Sequence, residues 1–67
     1  MVVHSLPKLF TLDSYSNLAL CHALLGQFEE ATEYWKKFLT VAIEQGDTAA
    51  QGQAYYCLGT SLLLVSS

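Results

Sequence analysis

The chain has 67 residues, of which 52 % are hydrophobic and 13 % charged, with a formal net charge of −3. That length allows at most one small domain, because domains run from about 50 to 250 residues. The only basic side chains are Lys8, Lys36 and Lys37, which excludes the clustered cations that nucleic-acid binding requires. The charged share is about half the roughly 25 % usual in soluble domains. A small domain has the most surface per unit volume, so this shortfall implies that some apolar surface meets other protein. Cys21 and Cys57 form no CxxC pair, and a disulfide framework usually takes four or more cysteines. Reduced cysteines on helices are expected, and with them a reducing, intracellular compartment. Residues 1–8 have no basic n-region and their apolar run is cut by Pro7 and Lys8, so they do not read as a signal peptide.

Glycines divide the chain. Gly26-Gln27 and Gly46-Asp47 interrupt helical periodicity on both sides, and each glycine suits the left-handed position that ends a helix. A first helix is predicted over 7–25, with Pro7 in its first turn and Ser5 or Asp13 as its cap. Residues 1–6 form a lead-in. The second helix, 28–45, carries Phe28, Ala31, Trp35, Phe38, Leu39 and Ala42 on one stripe, with Tyr34 and Val41 at its edge. Glu29, Glu30, Glu33, Lys36, Lys37, Thr40 and Glu44 take the other arc, the pattern of an amphipathic helix. Glu33 and Lys37 have the spacing of a favourable i,i+4 pair.

A third helix is predicted over 48–65, opened by a capping box of Thr48 and Gln51, with 66–67 as a tail. No charged residue occurs from Thr48 to Ser67. Polar residues interrupt that stretch, and Leu62–Val65 is far short of the roughly 20 apolar residues of a membrane span. No span is expected. All the charged residues except Lys8, Asp13 and Asp47 fall in the second helix. The first and third are therefore expected to be covered on more than one side, giving an order of inner, outer, inner.

Displacing the chain by 40 residues lays Tyr15 on Tyr55, Leu18 on Leu58, Ala19 on Gly59, Leu24 on Leu64 and Leu25 on Val65. A fixed period of this size marks a helical repeat array. It predicts that Tyr15 and Tyr55 share like surroundings, and that Ala19 and Ala31 let their helices pack closely.

These residues resemble the tetratricopeptide repeat (TPR), an all-α solenoid. Tyr15-x2-Leu18-Ala19-x2-His22 opens one unit, Gly26-x-Phe28-x2-Ala31-x3-Trp35 continues it, and Tyr55-x2-Leu58-Gly59-x2-Leu62 opens the next. His22 and Leu62 stand where the family favours an aromatic residue, and Phe38 replaces a usual alanine. The period exceeds the family's ordinary 34 residues. This longer form, with Tyr-Ser-Asn-Leu at 15–18, Phe-Glu-Glu-Ala at 28–31 and Gly-Asp at 46–47, is similar to the repeats of LGN/Pins-type adaptors. The resemblance covers about residues 13–65: one helix pair at 7–45 and the first helix of a following repeat, an α-solenoid fragment.

The resemblance implies a protein–protein interaction scaffold or adaptor. Its first helices line a concave groove that holds a peptide, which makes Asp13, Ser16, Asn17, Leu20, Gln53, Tyr56 and Thr60 the groove-facing candidates. Leu20 and Tyr56 serve equally well to pack a neighbouring repeat. Ser16, Leu20, Tyr56 and Thr60 supply no cation, which disfavours the carboxylate clamp of the chaperone-binding subclass. Neighbouring repeats or self-association are the other expected partners, and the cytoplasm, with or without cytoskeletal attachment, is the expected location. A structural part of a cytoskeletal or axonemal assembly is the alternative. Adjacent Cys21 and His22 point about 100° apart on a helix and lack a third orienting group. His4, Cys21, His22 and Cys57 have no metal-ligand spacing. Neither catalysis nor a metal or other cofactor is expected.

Overall fold

The computed structural model describes residues 11–66. The predicted lead-in, the Ser5 cap and the Pro7 start lie at positions outside the described residues. The described chain is all-α and 89 % helical, with no strand. Its helices are α1 (Leu12–Leu24), α2 (Phe28–Gln45) and α3 (Thr48–Ser66).

α1 begins later than expected. Thr11 is extended (φ −107°, ψ 178°) and its side chain accepts a hydrogen bond from the Ser14 backbone N–H at 3.3 Å. A β-branched hydroxyl in that geometry satisfies one of the free donors of the first turn, and it does so in place of Asp13. At the far end, the Gln27 N–H reaches the His22 carbonyl (2.8 Å) and the Gly26 N–H reaches that of Ala23 (3.0 Å). This paired closure needs a left-handed residue, and Gly26 supplies it with φ 78°. α2 ends in the same way. The Asp47 N–H donates to the Ala42 carbonyl (2.9 Å), the Gly46 N–H to that of Ile43 (3.0 Å), and Gly46 has φ 68°.

Asp47 then starts α3. Its carboxylate accepts from the Ala50 N–H at 3.0 Å, so the cap is Asp47 rather than the expected Thr48. Gln51, freed from a capping box, donates from its amide to the Ala42 carbonyl at 3.4 Å. Removing this cap, Asp47→Ala, is expected to lower stability by about 1 kcal/mol. Asp47→Asn retains an acceptor at the same place and should cost much less, a contrast that urea unfolding can measure.

α2 packs against both α1 and α3, while α1 and α3 barely meet. The start of α2 lies beside the end of α3, and the end of α2 beside the starts of α1 and α3, so neighbours run antiparallel. The core holds few large side chains. Among the described residues Ala19, Ala31, Ala42 and Ala54 are fully buried, Ala50 nearly so, and only Trp35 and Phe38 add buried bulk. Those two rings meet edge to face with centroids 5.3 Å apart, a favoured aromatic geometry. The predicted stripe of α2 is thus the core, and its small residues let the flanking helices approach closely. Buried Thr32 satisfies its hydroxyl on the Phe28 carbonyl at 2.8 Å.

Three expectations change. The order is outer, inner, outer, since α2 is the covered helix and the flanking pair expose Leu20, Leu24, Leu25, Tyr55 and Tyr56. An amphipathic stripe wide enough to serve two neighbours outweighs the polar arc that suggested an outer position. Glu33 pairs with Lys36 (3.3 Å) rather than Lys37, whose ammonium stands 5.6 Å from the centre of the Tyr34 ring. The pair is exposed and contributes little. Finally, Tyr15 and Tyr55 differ: Tyr15 is half-buried with its ring 6.3 Å from Tyr34, whereas Tyr55 is exposed. α1 has α2 beside that face, and no helix among the described residues takes the corresponding place beside α3.

Candidate protein-binding face

The seven groove candidates fall on two stripes. Asp13, Ser16, Asn17 and Leu20 recur at spacings of three, one and three along α1, and Gln53, Tyr56 and Thr60 at three and four along α3. Such spacings keep side chains on one helix face. α1 and α3 run in the same direction on either side of α2, so the two stripes border one surface.

A cleft of about 300 Å³ opens where α1 and α3 begin, lined by Asp13 and Ser16 of α1, Gln53 of α3, and Phe38 of α2. Leu12, Asp47, Ala49 and Ala50 complete its walls. The structure thus brings together Asp13, Ser16 and Gln53. Asn17, Leu20, Tyr56 and Thr60 lie beyond these walls, all exposed, with Tyr56 at 77 %. Two of the hydroxyls are engaged locally: Ser16 donates to the Asp13 carbonyl (3.0 Å) and Thr60 to that of Tyr56 (3.1 Å). Each keeps its lone pairs for an incoming donor.

Asp47 and Ala49 were not among the candidates. Asp47 reads in the sequence as a helix boundary, and its role in the cleft depends on where the α2–α3 turn places that boundary. With Asp13 it gives the cleft two carboxylates, and no lysine is among the lining residues. The chemistry favours a segment carrying a positive charge or free N–H donors.

His22 is engaged by residues other than the adjacent Cys21. His22 stacks on Tyr34 (centroids 5.3 Å apart, planes at 11°) and its Nδ1 donates to Gln27 Oε1 at 2.6 Å. Cys21 is exposed. Cys57 is half-buried, and that burial pushes its thiol up from the ordinary range. Among the described residues no cluster of His, Cys, Asp or Glu is placed to hold a metal ion, and no helix is long and apolar enough to cross a membrane. Comparison with protein-family models, with curated proteins and with solved structures returned no match to this chain.

Proposed function

We propose that the chain is a protein–protein interaction module of TPR-like type that belongs to a longer helical array and holds a peptide across the α1–α3 face. The observation that carries this reading is the convergence of Asp13, Ser16 and Gln53, from two separate helices, on one cleft floored by Phe38. Exposed Leu20 and Tyr56 extend the same face with apolar surface, and aromatic residues of this kind are the usual anchors of an interface. The reading assigns no catalytic step and no cofactor, and it sets the module in the cytoplasm.

The acidic cleft adds a chemical class: an extended segment with Lys or Arg. Selection of displayed random peptides on the full chain should recover such segments. Their affinity should fall by about tenfold on Tyr56→Ala, on the order of one lost aromatic anchor. Asp13→Asn and Asp47→Asn should weaken binding more at low salt than at high salt, with helicity unchanged by circular dichroism. Recovery of no basic peptides, or binding indifferent to all three substitutions, would refute the reading.

The second reading is a structural part of a cytoskeletal or axonemal assembly. What favours it is the exposure of Leu24 and Leu25 at the end of α1, and of Leu62–Val65 at the end of α3. In that case these substitutions leave soluble peptides unaffected, and Leu24→Ser with Leu63→Ser impairs incorporation into the assembly.

A further inference from the structure

α3 repeats the seam by which α1 sits on α2, and on α3 that seam faces outward. Leu12, Tyr15, Ala19 and His22 of α1 lie at spacings of three, four and three. Ala19 is fully buried, and Tyr15 and His22 both meet the Tyr34 ring, with centroids 6.3 and 5.3 Å away. Forty residues on, the same spacing gives Gly52, Tyr55, Gly59 and Leu62. All four are exposed, Tyr55 by 59 % and Leu62 by 53 %. A Cβ added at Gly52 or Gly59 meets nothing within 4 Å. Only proline is worse than glycine inside a helix, and nothing within the described chain uses the room that these two leave.

We infer that this stripe of α3 is a docking surface for an amphipathic partner helix built like α2 and running antiparallel to α3. The internal copy specifies its chemistry. One aromatic side chain of the partner lies beside Gly59 and meets Tyr55 and Leu62, as Tyr34 packs on the cluster that holds Ala19 and meets Tyr15 and His22. Beside the stripe, the groove between α2 and α3 is lined by Glu29, Glu30, Glu33 and Lys36, together with Leu62 and Val65. Lys36 is already paired with Glu33, so the groove wall is acidic and the partner helix carries Lys or Arg along that edge. A second copy of the chain does not meet the requirement. Its only helix of this character among the described residues is α2, whose two flanks are held by its own α1 and α3.

The inference rests on the same 40-residue register as the proposed function but uses none of the α1–α3 cleft. The two can therefore fail separately.

The probe is a labelled synthetic peptide of residues 27–47 carrying Glu29→Lys, Glu30→Lys and Glu33→Lys, titrated with the full chain and read by fluorescence anisotropy. Saturable binding is expected, weakened by about tenfold when the peptide also carries Tyr34→Ala, the loss of one ring-to-ring contact and its buried area. In the chain, Gly59→Ala should bind as the parent does, because alanine fills the equivalent place at position 19. Gly59→Leu should weaken binding by a similar factor while leaving helicity intact, since its side chain points into open space in the free chain. Tyr56→Ala should leave this binding unchanged. Absence of saturable binding, or a Gly59→Leu chain that binds as well as the parent, overturns the inference. So does concentration-dependent dimerisation abolished by Gly59→Leu, which would assign the stripe to a second copy.

Discussion

Trp35→Ala is expected to abolish the folded state. Among the described residues, Trp35 and Phe38 are the only large side chains that are buried, at 3 % and 4 % exposure, in a core whose other buried apolar members are alanines. The apolar stabilisation is therefore concentrated in two rings. Truncating a buried tryptophan costs about 3–5 kcal/mol, and a core in a chain this small rarely supplies more than about 3–5 kcal/mol in total. The loss equals the whole margin. Thermal melting followed by circular dichroism at 222 nm should show a broad, non-cooperative loss of helix at all temperatures. Trp35→Phe, which keeps a ring against Phe38, should retain a cooperative transition at lower temperature. A sharp transition for Trp35→Ala would mean that the alanine seam and the exposed apolar residues contribute far more than their burial suggests.

Ala54→Leu is expected to be the next most damaging change, and for the opposite reason. Ala54 is fully buried where α3 lies on α2, and the seam is lined by alanines on both helices. Three extra carbons there must push the helices apart or force a strained rotamer, at a cost of about 1–3 kcal/mol. Ala49→Leu, five residues earlier and exposed, should stay within about 0.5 kcal/mol of the parent. Urea denaturation of the two variants distinguishes a packed seam from a loose one. Equal midpoints would show that α3 lies less tightly on α2 than full burial of Ala54 implies.

α2 was the most legible part of the chain, and the reason is local. Its apolar stripe stands opposite charged residues, and a glycine that needs positive φ closes each flanking turn, so its limits at Phe28 and Gln45 follow from the pattern. The start of α1 was less legible because Pro7 is acceptable in any first turn, whereas the deciding interaction is the Thr11 side chain on the Ser14 amide. For α3, Asp47 and Thr48 are both good caps in sequence. Geometry selects Asp47, because its N–H is already committed to closing α2 and its carboxylate points into the next turn.

The candidate site was legible in part. Helical spacing is enough to place Asp13, Ser16 and Gln53 on one face, but the contribution of Asp47 depends on how α2 and α3 meet. The unlike surroundings of Tyr15 and Tyr55 have a different origin. A repeated motif records the kind of contact each residue is suited to make; it carries no information on whether the partner helix stands beside it. That information belongs to tertiary structure, and here it separates a filled seam on α1 from an open one on α3.

The double engagement of Asp47 has a dynamic consequence. A helix end secured by its own side chains frays by itself, residue by residue. Here one residue closes α2 with its backbone N–H and opens α3 with its carboxylate, and Gln51 adds a second tie to the Ala42 carbonyl. Unwinding the last turn of α2 therefore frees the first turn of α3 as well. The joint behaves as a latch, which turns independent local breathing into a single shared opening and fixes the angle at which the α1–α3 surface is held.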